Sequence, residues 1–285
     1  MRQRAAVLGS PIAHSLSPAL HRAAYRVLGI DWDYTAVECQ TDTFGAFLAD
    51  LGTEWMGLSL TMPLKEVVLE HVQDIDPIAL EVGAANTVYR ADAQPGGNWR
   101  ATNTDIVGIV RAVRSAGAHS LESAELLGAG ATARSSVAAL AQLGVTRLRV
   151  RARRAGPGEQ VATFAESLGM QASAADLSFA TWSSSTDADI VISTLPADAA
   201  AAWADMEART DTALLDTSYH PWPSALATAW NRRRPHAPVA SGRDMLLWQA
   251  VAQVGVMTGT YPGDDLDCPS AQQVAQAMRE VIHSP

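Results

Sequence analysis

Short apolar runs alternate with amphipathic segments along the first third of the chain. The apolar runs at residues 5–8, 34–38 and 56–60 predict strands, and the segment between the last two has the mixed pattern of an amphipathic helix. A further helix is predicted over residues 18–28, with Ser17 as its N-cap and Gly29 as its end. Strands and helices that alternate at this spacing indicate an α/β fold with a mostly parallel sheet.

The same alternation begins again after a boundary at residues 117–123. Predicted strands cover residues 124–127, 147–151, 190–193 and 213–216, and a helix is predicted at 131–143. A serine turn is expected at 183–185 and a proline-rich turn region at 221–238, before two closing helices at 244–257 and 270–283. This second unit has the pattern of a doubly wound nucleotide-binding domain.

Composition and charge exclude several classes of protein. The chain has 285 residues, 48% of them hydrophobic and 18% charged, which is ample for packed cores. No apolar stretch approaches the ~18 residues of a membrane span, and no signal peptide is expected. A net charge of −9 argues against a nucleic-acid partner. With only Cys39 and Cys268, and seven scattered histidines, we expect neither a disulfide framework nor a metal site, and a cytoplasmic location.

Lysine is almost absent from this chain. Of the 21 basic residues, 20 are arginine, and the single lysine is Lys65. Codon bias in a GC-rich genome would explain the missing lysines but not the one that remains. Lys65 follows a predicted strand at the start of a helix, where a cation is electrostatically unfavourable. Because an ammonium can give up a proton and a guanidinium cannot, Lys65 is a candidate acid or base.

A glycine-rich turn joins the strand at 124–127 to the helix at 131–143. The turn consists of Gly128, Ala129, Gly130, Ala131, Thr132 and Ala133, a G-x-G-x-x-A pattern. In this context the glycines permit a tight turn and a close backbone approach to a pyrophosphate, which the helix N-terminus attracts. The turn therefore predicts a dinucleotide site, although an ordinary glycine-rich connection has the same pattern.

The strand that follows indicates which dinucleotide is bound. An NAD-binding protein places Asp or Glu about 20 residues beyond the glycines, where it accepts hydrogen bonds from the ribose. Residues 147–154 contain five arginines, among them Arg151, Arg153 and Arg154, and no acid. Guanidinium groups make charge-assisted bonds to a 2′-phosphate, so NADP(H) is the expected cofactor. A solvated basic edge is the alternative.

Several polar residues lie next to predicted helix starts and strand ends. Ser15 and Ser17 precede a helix N-terminus and would form a carboxylate cradle, although a simple cap explains Ser17 alone. Asp105 begins a helix and is favourable there whatever its role. Asn86 follows a predicted strand and has the alternative role of a turn residue.

Seven ordered blocks resemble the shikimate dehydrogenase family. They are residues 9–21 (GSPIAHSLSPALH), 59–65 (SLTMPLK), 83–87 (GAANT), 103–105 (NTD), 128–133 (GAGATA), 216–221 (DTSYHP) and 241–249 (SGRDMLLWQ). The resemblance implies an α/β protein with a substrate-binding domain formed by residues 1–105 and 241–285, and a Rossmann-type NADP domain formed by residues 106–240. It also implies the reversible, NADPH-dependent reduction of 3-dehydroshikimate to shikimate in aromatic amino acid biosynthesis, by a monomer or a homodimer.

The resemblance also assigns roles to individual residues. Lys65 and Asp105 correspond to the catalytic pair, in which Lys65 exchanges a proton with the substrate oxygen and Asp105 orients it. The implied substrate contacts are Ser15, Ser17, Ser59, Thr61, Lys65, Asn86, Asp105, Tyr219 and Gln249. The implied cofactor contacts are residues 128–133 with Arg151, Arg153, Arg154, Thr194, Leu195, Gly242 and Met245.

The chain departs from the family pattern at several positions. Ser59 stands where Asn is usual, so its shorter side chain is expected to bond the substrate through water or to loosen selectivity. Ala152 and Arg154 replace the usual Asn and Thr around Arg153. Two alternatives stay open: a quinate/shikimate or aminoshikimate dehydrogenase that uses NAD or NADP, and a catalytically silent NADP-binding regulator.

Overall fold

The computed structural model describes residues 2–177 and 186–283, and the predicted serine turn at 183–185 lies outside them. The chain forms two compact units. The first contains Met1–Val107 and Leu247–Pro285, and the second contains Gly108–Leu246. The sequence prediction placed the two crossings after residues 105 and 240. In the structure the chain passes from one unit to the other within helices α5 and α10, whose bounds are given below.

The first unit is built on a six-stranded sheet with helices around it. Its elements are β1 (Gln3–Gly9), α1 (Ser17–Leu28), β2 (Trp32–Glu38), α2 (Thr41–Ala49), β3 (Trp55–Leu60), α3 (Leu64–Val67), β4 (Asp74–Ile75), α4 (Pro77–Val82), β5 (Thr87–Arg90), β6 (Trp99–Thr102) and the start of α5 (Asp105–Ser115). Short 3-10 turns cover Val68–Glu70 and Ala91–Ala93. The sheet is mostly parallel, as predicted, since the pairs β1–β2, β1–β3 and β4–β6 are parallel; the exception is β5, which runs antiparallel to both β3 and β6. An apolar pattern shows that a strand is present but not its direction.

The strand order in this first sheet is β2-β1-β3-β5-β6-β4. One face packs on a core that includes Leu8, Phe44, Leu58, Leu64 and Val88, all fully buried. Burial of such side chains is the main favourable term in folding. The core fixes the carboxyl ends of β1 and β3, and the candidate site lies at this end of the sheet.

The second unit contains an all-parallel sheet. Its elements are β7 (Ser123–Leu127), α6 (Ala131–Gln142), β8 (Arg147–Ala152), α7 (Ala155–Ser167), β9 (Gln171–Asp176), β10 (Ile190–Ser193), α8 (Ala197–Ala201), β11 (Ala213–Asp216), α9 (Ala225–Arg233) and β12 (Val239–Ser241). Among the described residues of this unit, all five strand pairs are parallel. Counted from β7, the order β12-β11-β10-β7-β8-β9 is the 3-2-1-4-5-6 order of a doubly wound dinucleotide fold, read from the other edge. The predicted fold class is therefore confirmed.

Two helices close the chain, as the sequence predicted. They are α10 (Gly242–Thr258) and α11 (Pro269–His283), and α11 packs against α1 in the first unit. Ser241 and Asp244 form a reciprocal cap at the start of α10: the Asp244 N–H donates to Ser241 Oγ, and the Ser241 N–H donates to Asp244 Oδ2. Among residues 2–177 and 186–283, no helix has the length and hydropathy that crossing a bilayer requires.

Candidate active site

Lys65 and Asp105 form an ion pair at the end of the first sheet. Lys65 lies in α3, directly after β3, and Asp105 is the first residue of α5, directly after β6. Lys65 Nζ donates to Asp105 Oδ2 over 2.6 Å, and the two side chains are 14% and 4% exposed. Limited exposure of the pair reduces the screening of its charges by water. The lone lysine is therefore held at one atom of a nearly buried carboxylate.

Asn86 donates a hydrogen bond to the second oxygen of the Asp105 carboxylate. Its Nδ2 donates to Asp105 Oδ1 over 2.9 Å and to Gln249 Oε1 over 3.2 Å. The Thr104 backbone N–H donates to Asn86 Oδ1 over 2.8 Å. Because a backbone N–H can only donate, this bond fixes which end of the Asn86 amide faces Asp105. The structure thus brings Lys65, Asp105, Asn86 and Gln249 into one hydrogen-bonded cluster.

The loop before α5 sets the position of the Asp105 carboxylate. Asn103 Oδ1 accepts from the Asp105 backbone N–H over 3.0 Å, and Asn103 Nδ2 donates to the Ala84 carbonyl over 2.8 Å. Such local side-chain bonds replace the missing helical partners at a helix start. The two Asn-Thr pairs of the sequence, at residues 86–87 and 103–104, therefore hold each other together across neighbouring loops.

Ser15 and Ser17 lie at the start of α1, and it is Ser15, not Ser17, whose hydroxyl bonds a backbone N–H there. The prediction that Ser17 is the N-cap is wrong, because Ser17 is already helical and Leu16 occupies the N-cap position. It is the Ser15 Oγ that accepts from the Ser17 backbone N–H, over 3.3 Å. Ser15 is half-buried and Ser17 is buried. The hydroxyl of Ser15 that seemed free in the sequence already serves the helix terminus.

Ser59, an implied substrate contact, has a buried hydroxyl whose bonds are made within the protein. Its hydroxyl donates to Gln253 Oε1 over 2.8 Å and accepts from the Tyr34 hydroxyl over 2.6 Å, and the residue is 4% exposed. The predicted contact of Ser59 with substrate is therefore not supported, because both bonds direct the hydroxyl into the interior. Thr61, two residues further on, is half-buried and follows the end of β3.

The glycine-rich turn of the second unit leads directly into the N-terminus of α6. Gly128 has a φ of 115°, a conformation that glycine adopts without strain, and a Cβ there would overlap the Thr194 hydroxyl. A Cβ at Gly130, by contrast, would meet nothing within 4 Å. Gly130 is the N-cap residue of α6, which no side chain caps. The turn therefore leaves open space directly before a helix N-terminus.

The three arginines predicted to meet a 2′-phosphate divide into two groups. Arg153 and Arg154 are exposed immediately after β8, at the carboxyl end of the parallel sheet. Arg151 is 4% exposed and forms a buried ion pair with Glu125 of β7. The prediction for Arg151 is corrected on this ground, since a guanidinium paired inside the sheet is not available to a ligand at its edge.

The other predicted cofactor residues lie in the second unit. Thr194 Oγ1 donates to the Leu127 carbonyl over 2.9 Å, which ties the loop after β10 to the end of β7, and Leu195 is half-buried. Gly242 touches the Thr217 carbonyl so closely that a Cβ there would overlap it, and Met245 is 7% exposed. Tyr219, predicted as a substrate contact, belongs to this unit too, and burial raises the pKa of its hydroxyl.

Sequence reasoning missed three residues that the cluster depends on. Thr104 supplies the N–H that orients Asn86, and Thr87 donates its hydroxyl to Asn86 Oδ1 over 2.8 Å. Gln253 donates to the Asn86 carbonyl over 3.1 Å. Gln253 lies one helical turn after Gln249, so the i, i+4 spacing on α10 was a signal that both face the same way. Within residues 2–177 and 186–283, no group of three or more His, Cys, Asp or Glu could hold a metal ion.

Comparisons with known proteins identify relatives of this chain. Residues 7–88 match the family model of the shikimate dehydrogenase substrate binding domain. The chain is 32% identical over 277 residues to the shikimate dehydrogenase (NADP(+)) of Methanothermobacter thermautotrophicus, covering 91% of this chain and 92% of that protein. Other curated shikimate dehydrogenases align over about half of this chain and half of their own length.

Solved structures match over nearly the whole chain. A shikimate 5-dehydrogenase from Mycobacterium fortuitum is 39% identical, with a TM-score of 0.78 and coverage of 99% of this chain and 98% of that one. The shikimate 5-dehydrogenase from Thermus thermophilus, solved in complex with NADP(H) and shikimate, is 28% identical, with a TM-score of 0.76 and coverage of 98% and 99%. Because relatives that are 32% and 39% identical align over nearly the whole of both chains, this chain belongs to the shikimate dehydrogenase family.

Proposed function

We propose that this protein is an NADP-dependent oxidoreductase that reduces 3-dehydroshikimate to shikimate, reversibly, in aromatic amino acid biosynthesis. The observation that carries the proposal is the Lys65–Asp105 ion pair, in which Asn86 donates to the carboxylate and also to Gln249. The relatives of this chain are named for the same activity. A regulator that only bound the cofactor would have no need of a proton donor oriented in this way.

NADP(H) fits the second unit on three observations. Gly130 leaves open space before the N-terminus of α6, where backbone N–H groups and the helix dipole favour a pyrophosphate. Arg153 and Arg154 are exposed at the end of β8, where a 2′-phosphate requires positive charge. The described residues of β8 carry no acid that would repel that phosphate. When bound, the cofactor supplies a hydride to the substrate.

The role of Lys65 follows from the chemistry of a ketone. When the carbonyl carbon receives a hydride, its oxygen acquires negative charge and requires a proton to become a hydroxyl. The Lys65 ammonium gives that proton and becomes a neutral amine, which solvent then protonates again. In the reverse direction the amine accepts the alcohol proton. Acid–base assistance of this kind accelerates a reaction about 10²- to 10⁴-fold.

Asp105 and its neighbours orient the proton donor. Asp105 Oδ2 accepts from Lys65 Nζ, which fixes the ammonium, while Asn86 occupies the other carboxylate oxygen. Asn86, Asp105 and Gln249 are the proposed contacts for the ring hydroxyls. Ser15, Ser17 and Thr61 are the proposed contacts for the substrate carboxylate, which the N-terminus of α1 favours electrostatically.

Steady-state kinetics with paired substrates and cofactors tests the proposal. We expect kcat/KM to be highest for 3-dehydroshikimate with NADPH, and lower by about tenfold or more with NADH, because charge-assisted bonds to the 2′-phosphate are lost. A preference for quinate with NAD would identify a quinate dehydrogenase instead. Binding of NADPH without turnover of any cyclohexene or cyclohexane carboxylate would indicate a regulator.

A cytoplasmic location and a monomeric or homodimeric state are also part of the proposal. Cys39 and Cys268 are both free thiols, which suits a reducing compartment. Light scattering of the purified protein would give its oligomeric state.

A further inference from the structure

Gln253 lies at the centre of a buried network beneath the candidate active site. It is 1% exposed, and its amide group makes four hydrogen bonds. Nε2 donates to the Asn86 carbonyl over 3.1 Å and to Thr87 Oγ1 over 3.0 Å. Oε1 faces Ser59 Oγ at 2.8 Å and His21 Nε2 at 3.3 Å. All the hydrogen-bonding capacity of this amide is therefore used.

The direction of each bond in this network is determined. The Asn86 carbonyl can only accept, so Nε2 of Gln253 faces it and Oε1 faces the other way. Oε1 then requires donors. Ser59 provides one, because Tyr34 donates to the Ser59 oxygen and leaves the Ser59 proton free to point at Gln253. His21 provides the other from Nε2, while its Nδ1 faces the Tyr25 hydroxyl over 3.4 Å.

The network reaches the active site through Thr87. Because Gln253 donates to the Thr87 oxygen, the Thr87 proton is directed to Asn86 Oδ1, 2.8 Å away. Asn86 Oδ1 then holds donors from Thr87 and from the Thr104 backbone, and its Nδ2 is left to face Asp105 and Gln249. A chain of defined donors and acceptors thus runs from α10 to the carboxylate that holds Lys65.

We propose that Gln253 is a positioning residue: through the Asn86 carbonyl and Thr87 it holds the Asn86 amide in the orientation that the Thr104 N–H sets and, through Asn86, keeps the Lys65–Asp105 pair in place. This inference rests on the proposed function for its kinetic test only. It also gives a physical account of Ser59, which stands where the family pattern has Asn. In this chain an amide beside the end of β3 is provided by Gln253 of α10, and the Ser59 hydroxyl donates a hydrogen bond to it.

The variant Gln253→Met tests the proposal, because it keeps the length of the side chain and removes its hydrogen bonds. We expect KM for 3-dehydroshikimate to rise and kcat to fall, lowering kcat/KM about 10- to 100-fold, as small displacements of positioned groups do. The matched control is Gln272→Met on α11, which removes a bond to the Leu266 carbonyl away from the cluster. The control variant is expected to leave kcat and KM unchanged, and its only expected effect is a lower melting temperature.

Thr87→Val is the second variant, and it interrupts the chain between Gln253 and Asn86 with almost no change of volume. We expect the same combined change in KM and kcat. The double variant Gln253→Met with Thr87→Val should lose little more than either single variant, since both break one path. Kinetic constants within twofold of wild type in a folded Thr87→Val or Gln253→Met variant would overturn the proposal, as would full additivity.

Hydrogen exchange separates this inference from the proposed function. The Thr104 amide donates to Asn86 Oδ1, so its exchange rate reports the orientation of Asn86 without any substrate. We expect this amide to exchange at least about tenfold faster in Gln253→Met than in wild type or Gln272→Met, because loss of one net hydrogen bond is worth about a factor of ten. If the wild-type protein does not reduce 3-dehydroshikimate, the proposed function fails, while the exchange result still decides the role of Gln253. An unchanged Thr104 exchange rate would contradict that role.

Discussion

Lys65 shows what a single residue count can and cannot reveal. A lone lysine in a chain with 20 arginines suggested chemistry, and the structure places its Nζ on the Asp105 carboxylate. The ordered motifs predicted that Asn86 and Gln249 belong with this pair, and the four side chains form one hydrogen-bonded cluster. Ser59 and Arg151 were predicted as ligand contacts but face the interior. A motif gives the type of residue at a position, whereas packing decides the direction of its side chain.

His21 gives the network under the active site a dependence on pH. Complete burial lowers the pKa of His21 from 6.5 to about 3, although the bond with Gln253 opposes this. The unfolded chain therefore takes up a proton at His21 below pH 6.5, whereas the folded protein does not. The contribution of neutral His21 to the free energy of unfolding is complete above pH 6.5 and decreases as the pH falls toward 3. Between about pH 6.5 and pH 5 the free energy of unfolding is expected to fall by about 2 kcal/mol.

Urea unfolding at several pH values checks this prediction. We expect the free energy of unfolding of wild type to fall more steeply below pH 6.5 than that of His21→Gln, in which no group at this position titrates. His119→Gln is the control, since His119 is exposed, and it should keep the wild-type slope. If His21→Gln and wild type have the same slope, the buried histidine does not govern the acid sensitivity.

At the scale of elements, the strongly apolar strands were predictable and the weakly patterned ones were not. The strands β10 and β11 occupy the predicted residues, and α6 and α10 differ from prediction by one or two residues at an end. The helix α7 was missed because it begins with the sequence AGPG at residues 155–158, which has the composition of a turn. The edge strand β9 (Gln171–Asp176) was missed because it is mostly exposed and has few large apolar residues.

The two glycines of the turn before α6 are expected to respond differently to alanine. Gly128→Ala introduces a side chain at a φ of 115° and against Thr194, so we expect a loss of stability of about 1–3 kcal/mol. Gly130→Ala has a negative φ and open space around it, so its melting temperature should match wild type. Its added methyl group lies where the pyrophosphate would approach, so NADPH should bind more weakly. Normal NADPH affinity in Gly130→Ala would argue against a pyrophosphate at this turn.

The end of β8 is expected to set the cofactor preference. Arg153→Ala removes an exposed guanidinium at the carboxyl end of the strand, and we expect KM for NADPH to rise about tenfold while KM for NADH changes little. Arg149→Ala is the matched control, because Arg149 is exposed on the same strand but away from that end. Equal effects on NADPH and NADH, or an equal effect of the control, would show that Arg153 does not read the 2′-phosphate.

For the whole molecule, the sequence predicted the class of fold and the mostly parallel pairing of its strands, but not the antiparallel strand β5. The second unit is the doubly wound parallel domain that its alternating pattern and glycine turn indicated, and the structure adds its 3-2-1-4-5-6 strand order. The first unit has a mixed sheet, because β5 and β6 form a hairpin across residues 91–98. The structure divides the chain after Val107 and Leu246, inside helices. A continuous helix has no composition change at such a crossing, so its position was not readable from the sequence.

The most direct test of the central claim compares wild type with Lys65→Arg in the NADPH-dependent reduction of 3-dehydroshikimate. Arginine keeps the charge and can still pair with Asp105, but it does not readily give up a proton. We predict rapid NADPH consumption by wild type, and a kcat that is lower by about 10²-fold or more in the variant, with the melting temperature unchanged. Turnover by Lys65→Arg at close to the wild-type rate would contradict the account.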